Sequence, residues 1–300
     1  MISHLRIGVI GIPGKWSTET LADNVEKRTG FRLVIDMNNV SLDLTQQALY
    51  YQGQDLCELD ALIVKKISAD YSPNTLNRLE LLRIAEAKGV KVFSRADNML
   101  RLINRLSCTV TLQNANIPMP ETLITEDIQQ AVDAVKGMGS AVFKPLFSTK
   151  ARGMCVIDNK GSDQHIERQI EAFKAANRMM YIQKKLVLPG RDLGLVFLGG
   201  EYLGAYARVS QNEGVWNTTI NSGGRYAAAQ PEEHIISIAT QAQAPFGMDF
   251  TTVDVAEAAD GPIVFEVSAF GGFKGALEGA NIDAASAYTD YVLGKINDTL

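Results

Sequence analysis

Cysteine and histidine are scarce in this chain, with three of each among 300 residues. Cys57, Cys108 and Cys155 stand far apart, no CxxC pair occurs, and no histidine lies near enough in sequence to share a metal with them. This argues against a disulfide framework and a zinc site, and fits reduced thiols in a cytosolic protein. A basic excess is also missing. The 29 Lys and Arg against 34 Asp and Glu leave a net charge of -5, which excludes a nucleic-acid binder built on a basic face. No apolar run approaches the roughly 18 residues of a membrane span. At the N-terminus, His4 and Arg6 interrupt the apolar run that a signal peptide needs, so the expected address is cytoplasmic, without membrane or nucleic-acid partners. What remains is 46% hydrophobic and 21% charged, an ordinary globular composition with length for two or three packed units.

The first hundred residues alternate strand and helix. "LRIGVIGI" is a buried strand bounded by Gly and Pro, Ser17 is placed to cap a helix running to about Arg28, and "FRLVIDM" and "ALIVKKI" are further strands. "NTLNRLELLRIAEAKG" has leucines at helical spacing and stops at Gly89, before a strand "VKVF". Such alternation predicts an α/β domain with an open, mostly parallel sheet. From residue 103 the pattern changes. A helix, a Pro-containing turn, an "ETLIT" strand, a helix, strand–loop–strand "SAVFKPLFSTKARGMCVID", a helix and a strand "MYIQKKL" succeed one another. After Arg191 hairpins dominate, turning at Gly199-Gly200 and near Asp260-Gly261, so the last two thirds read as α+β with antiparallel sheets. The expected units are residues 1–102, 103–184 and 185–300.

"GVIGIPGKWST", residues 8 to 18, nearly matches the phosphate-binding P-loop. Gly8 is one residue too far upstream, however, and Trp16 stands where the magnesium-binding Ser or Thr belongs. Stronger chemistry lies in the last hairpin, "TTVDVAEAADGPIVFEVSA". A three-residue turn over 259 to 261 sets Asp254 opposite Glu266, whereas a two-residue turn puts them on opposite faces. Two facing carboxylates in apolar strands repel and are costly to desolvate, penalties that a divalent cation between them removes; oxygen-only ligation favours Mg2+. The alternative is one solvated and one turn-capping carboxylate. The loop "KPLFSTKARG" adds Lys144 at the end of an apolar strand, with hydroxyls and backbone donors after it that suit a polyphosphate, or else form an ordinary exposed turn.

The order of strand lysine, small-residue loop, "YIQKKL" connector and paired Asp…Glu on a late hairpin resembles the ATP-grasp superfamily, nearest its RimK-like carboxylate–amine ligase branch. The likeness covers roughly residues 95 to 290; the first domain matches the usual pre-ATP-grasp domain in layout only. The resemblance implies an ATP- and Mg-dependent ligase, with two Mg2+ ions that Mn2+ can replace, joining a small-molecule or peptide carboxylate to an amine through an acyl phosphate. It implies Lys144 on the α/β-phosphates and a closing loop over Ser148, Thr149, Arg152 and Gly153. Gln183, Lys184, Lys185 and Leu186 become the connector that reads adenine, with Asp192 on the ribose. Arg208 is implied near the transferred phosphoryl group, Asn217, Thr218 and Thr219 on the phosphate side, and Asp254 and Glu266 as metal ligands.

Two positions depart from the family pattern. Arg105 stands where a second nucleotide-binding lysine is usual, keeping charge but not geometry, and Ser268 replaces the usual Asn as third metal ligand. Lys274 in "GGFKG" is a candidate for the acyl phosphate. These departures leave open an ATP-binding accessory protein without turnover, as well as a phosphotransferase that stops at the phosphorylated product. Oligomeric state stays open too, a homo-oligomer included. With ATP held elsewhere, "GIPGKWST" is either an anion-docking turn for substrate, through Lys15 and the helix N-terminus, or a plain βα turn.

Overall fold

The computed structural model describes residues 4–210 and 223–298. The chain opens as an α/β unit: β1 (Ile7–Ile10), α1 (Trp16–Thr29), β2 (Val34–Ile35), β3 (Val40–Asp43), β4 (Ala48–Tyr51), β5 (Gln54–Asp55), β6 (Ala61–Val64), α2 (Pro73–Ala87), β7 (Lys91–Phe93) and α3 (Ala96–Ile103). The sheet order is β2-β1-β6-β7, with all pairings parallel. Both central strands, IGVI and ALIV, are buried at every position, as continuous apolar runs must be when helices cover both faces. Between β2 and β6 the chain adds an antiparallel three-stranded sheet, β3-β4-β5, that hydrophobic periodicity does not reveal. Helix α1 starts at Trp16 with Lys15 as N-cap, so Ser17 lies inside the first turn rather than capping it.

Asn104 closes α3 and opens α4 (Arg105–Asn114), its side chain accepting from the Leu106 N–H at 2.9 Å. The next unit holds β8 (Thr122–Thr125), α5 (Ile128–Met138), β9 (Ser140–Lys144), β10 (Cys155–Asp158), α6 (Asp163–Ala176) and β11 (Met180–Lys184). Its antiparallel sheet runs β10-β9-β11-β8. Val132 and Val135 of α5 and Ile166, Ile170 and Phe173 of α6 pack with Phe143, Ile157 and Ile182 of the sheet. That packing fixes β9, and therefore the place of Lys144 at its end.

The last unit is built on β12 (Arg191–Leu198), β13 (Glu201–Val209), β14 (Arg225–Ala229), α7 (Glu233–Gln243), β15 (Phe250–Ala258), β16 (Gly261–Val267), α8 (Phe273–Ala280) and α9 (Ala284–Asn297). Its five strands lie in the order β14-β13-β12-β15-β16, all antiparallel. The expected turn at Gly199-Gly200 is present, with Leu198 paired to Glu201. Helix α9 returns to the first domain, where Arg28 of α1 binds Asp290 and donates to Ser286. Helices α1 and α9 thus join the first and last units.

Candidate active site

The last hairpin reaches the expected pairing by a different route. Its turn has two residues, Ala259 and Asp260, since Ala258 pairs with Gly261. That register alone would separate the carboxylates. A β-bulge corrects it: Val255 pairs with Val264, Phe265 is the extra residue, and Asp254 pairs with Glu266. Bulges next to functional sites commonly re-aim a side chain in this way. Asp254 is 8% exposed, and burial pushes its carboxyl up to about 7 although Arg208 pulls the other way. Its Oδ2 lies 2.9 Å from Arg208, while its buried Oδ1 has no hydrogen-bond partner. An orphaned buried carboxylate oxygen facing a second carboxylate is the environment a hard divalent cation suits. Among the described residues no group of three His, Cys, Asp or Glu converges. The pair thus presents two facing carboxylates with no third acidic, His or Cys group converging on them among the described residues. Ser268 lines the neighbouring cavity with both carboxylates, its N–H bonded to Thr252 O and its carbonyl accepting from the Thr251 hydroxyl.

Arg105, first residue of α4, is far from a solvated surface arginine: its side chain is only 10% exposed. Its guanidinium donates to Glu266 Oε2 at 3.2 Å, to Pro145 O at 3.2 Å and to Ser148 Oγ at 3.4 Å. It therefore ties the last hairpin to the loop after β9. Lys144 donates to Gln183 Oε1 and lies 5.4 Å from the ring centre of Phe265. Desolvation, helped by Arg105, lowers its pKa to about 7, the state of a cation that lacks an anion. Gln183 is held in turn by Thr122 and Tyr181, which accept from its amide.

Two cavities open here and share a wall. The larger, about 450 Å³, is lined by Lys144, Gln183, Lys184, Lys185, Leu186, Asp192 and Lys274, with Val142, Met154 and Leu188 supplying apolar surface. The smaller, about 240 Å³, is lined by Lys66, Tyr71, Ser268 and Phe270 among others. Arg105, Ser148, Thr149, Lys150, Arg208, Tyr226, Asp254, Phe265 and Glu266 border both. Along the connector, the Lys184 and Lys185 N–H groups are taken by Glu121 O and Ser140 O. Asp192 commits its carboxylate to Arg208, which Asp254 flanks on the other side. Lys274 lies near the start of α8, exposed, with Glu278 Oε1 at 3.5 Å.

Some expected residues go elsewhere. Arg152 and Gly153 border neither cavity. Arg152 turns to the first domain and binds Asp70 and Ala69 O, because Lys150, Ala151 and Gly153 take left-handed φ values of 59°, 58° and 69° that reverse the loop. Residues 11 to 17 also line neither cavity. Local bonding occupies two of the turn's donors, the Gly14 N–H going to Glu19 Oε1 and the Ile12 N–H to Thr18 Oγ1, as in a plain βα turn. Asn217, Thr218 and Thr219 lie outside the described residues. Lys66 and Tyr71, which no sequence motif singles out, enter instead. They come just after the carboxyl end of β6, and the rule that ligands gather beyond strand ends points to β6 as readily as to β1.

Comparison with known proteins agrees with this geometry. Residues 103–292 match the family model described as RimK-like ATP-grasp domain. A tetrahydromethanopterin:alpha-L-glutamate ligase of Methanosarcina acetivorans is 27% identical over 269 residues, 85% of this chain and 83% of that protein. A probable alpha-L-glutamate ligase of Klebsiella pneumoniae is 26% identical, over 94% of this chain and 93% of its own. Among solved structures, the ATP-grasp ligase PsnB with its minimal precursor superposes with a TM-score of 0.74 at 19% identity, covering 98% of this chain and 100% of its own. D-alanyl-alanine synthetase A of Vibrio cholerae gives a TM-score of 0.72 at 13% identity, with 100% and 99% covered. The chain belongs to the RimK-like ATP-grasp family and is an ATP-dependent carboxylate–amine ligase.

Proposed function

We propose that the larger chamber takes ATP, the smaller chamber takes the organic substrates, and the amine substrate is L-glutamate or a close analogue. The carrying observation is the shared wall. Arg208, Asp254 and Glu266 border both chambers, which is where a phosphoryl group must pass from nucleotide to carboxylate. The glutamate reading rests on the activities printed for the relatives of Methanosarcina acetivorans and Klebsiella pneumoniae. Free thiols at Cys57, Cys108 and Cys155 accord with a cytoplasmic enzyme.

In this reading Lys144 and Arg105 hold the phosphates by charge, with Ser148 and Thr149 donating from the loop. Leu186, Val142 and Met154 flank the base, and Leu186 offers an N–H with no partner among the described residues. Asp254 and Glu266, with Ser268 beside them, hold Mg2+, one ion or two, and Mn2+ in its place. When bound, the metal neutralises charge on the phosphate oxygens. A carboxylate oxygen of one substrate attacks the γ-phosphorus and ADP leaves, giving an acyl phosphate. Arg208 is fixed by Asp192 and Asp254 at the wall, aligned to meet charge on the transferred group. The amine nitrogen then attacks the acyl carbon, phosphate departs, and the nitrogen loses a proton. Lys274 at the rim of the larger chamber is placed to accompany the departing phosphate.

The test is a coupled assay of ADP release across a panel of carboxylates with and without L-glutamate. Release that needs carboxylate and amine together supports ligation. ADP formed without amine would make the protein a phosphotransferase, and tight ATP binding with no release would make it an accessory binder.

A further inference from the structure

Lys65 and Lys66 come directly after β6, and both backbone N–H groups donate to Ile10 O, at 2.8 and 3.2 Å. This doubled contact ends the parallel pairing and sends the two side chains to different tasks. Lys65 is 7% exposed; its Nζ donates to Gly271 O at 2.9 Å and sits 4.4 Å from the ring centre of Phe273. It staples the first domain to the segment that precedes α8. Lys66 instead borders the smaller chamber. Its Nζ donates to the Tyr71 hydroxyl at 3.2 Å and lies 4.2 Å from the Tyr71 ring centre and 5.5 Å from that of Phe270. Those rings pack edge to face at 6.3 Å.

Among the described residues no carboxylate forms an ion pair with Lys66, nor with Lys150, which borders both chambers. The other charged groups of the chamber are spoken for: Arg105 pairs with Glu266 and Arg208 with Asp254. Near Lys66, Arg152 is paired to Asp70. A half-buried ammonium with only a phenol oxygen and two π faces is under-compensated. Desolvation, reinforced by Lys150 and Arg152, accordingly lowers Lys66 to about 8. Lys66 borders the smaller chamber and not the larger, so with ATP in the larger chamber, as proposed above, the anion it meets is no part of ATP. The reacting carboxylate belongs at the shared wall of Arg208, Asp254 and Glu266. A carboxylate that stays intact through the reaction is left.

We infer that Lys66, framed by Tyr71 and Phe270, binds a non-reacting carboxylate of the amino-acid substrate and thereby selects an acidic amine donor. This rests on the ligase reading for the places of ATP and the reacting carboxylate as well as for naming the donor. The chamber's size suits a free amino acid, and Lys150 offers a second cation for a dicarboxylate.

The experiment is calorimetric titration of L-glutamate into protein saturated with Mg2+ and a non-hydrolysable ATP analogue, repeated with isoglutamine, glutamine and 4-aminobutyrate. Wild type should bind glutamate and lose about 10- to 100-fold in affinity when the recognised carboxylate is amidated or absent, the scale of a charged hydrogen bond. Lys66→Met, which keeps the aliphatic stem, should weaken glutamate by a similar factor and abolish that discrimination. Affinity for the nucleotide analogue should stay within about threefold. Lys66→Arg should restore most glutamate binding. The inference is overturned if wild type does not bind glutamate, if it binds the amides as well as the acid, or if Lys66→Met binds glutamate like wild type. Equal weakening of nucleotide and glutamate, with a lowered Tm, would make Lys66 a structural residue and overturn it too. Glutamate binding through Lys66 with no ADP release on any carboxylate would sink the ligase reading and leave this one standing.

Discussion

The two chambers meet at one wall and differ in the segments each adds to it. The larger takes in strands β9, β11, β12 and the β15–β16 hairpin with the loop after β9 and the connector after β11, and its partly buried Lys144 is held by a strand neighbour, Gln183. The smaller adds to the shared wall two segments past strand ends, Lys66 and Tyr71 after β6 and Ser268, Ala269, Phe270 and Gly272 after β16, together with side chains of α3 and α4. Strands hold a common chemistry in fixed geometry, whereas connecting segments tolerate replacement and so carry specificity. ATP would be the invariant demand and the organic substrate the variable one.

Substitutions can break that division of labour, and the largest effect belongs to the wall itself. Asp254→Asn or Glu266→Gln should lower ADP release by more than about 100-fold, because even partners that only orient metal ligands are worth 10- to 100-fold. The cooperative melting transition should survive, since the hairpin register does not depend on these charges. Near-normal turnover in both variants would remove the pair from any metal role. Next comes Lys144→Ala. Loss of a charged hydrogen bond of about 1.5–3 kcal/mol should raise the KM for ATP roughly 10- to 100-fold while leaving the KM for glutamate nearly unchanged. A rise confined to glutamate would reverse the assignment of the chambers.

The smallest effect is expected at the loop between them. Arg152 and Asp70 are both exposed, and such pairs are worth about 0.2–1 kcal/mol. Arg152→Ala should therefore speed hydrogen exchange over residues 148 to 153 only about twofold to fivefold without nucleotide. Bound ATP analogue should restore protection in wild type and variant alike. Protection that ignores nucleotide in both would show that the loop does not close on phosphates.

Legibility in the sequence obeys the same division. The buried runs IGVI and ALIV, the leucine spacing of α2 and the glycine-marked hairpins are local signals, and each forms the element its pattern implies. Lys144 is legible because an apolar strand delivers it. Lys66 is not, because "VKKIS" looks like the tail of any strand until Tyr71 and Phe270 come in from elsewhere. Arg152 sits among hydroxyls in a donor-rich loop, and only its long-range contact with Asp70 takes it out of the site. β3 and β4 are as long as β1 and β6 but mix buried and half-buried or exposed positions, so no continuous apolar run marks them, and β5 has only two residues.

The bulge at Phe265 has a consequence for how such sites vary between chains. A three-residue turn without a bulge and a two-residue turn with one both place Asp254 against Glu266, and both keep the same separation along the chain. An insertion in the turn is cancelled by a deletion in the strand. Alignments can thus drift across this hairpin by a residue in each direction while the carboxylates keep step. The two solutions are not equivalent, because only the bulged one leaves an unpaired ring, Phe265, bordering both chambers and facing Lys144. Shifting the spare residue from strand to turn would preserve the Asp254–Glu266 pairing and set Phe265 opposite Val255. A compensated pair of length changes would thus remake the wall between the two compartments while the two carboxylates stay paired.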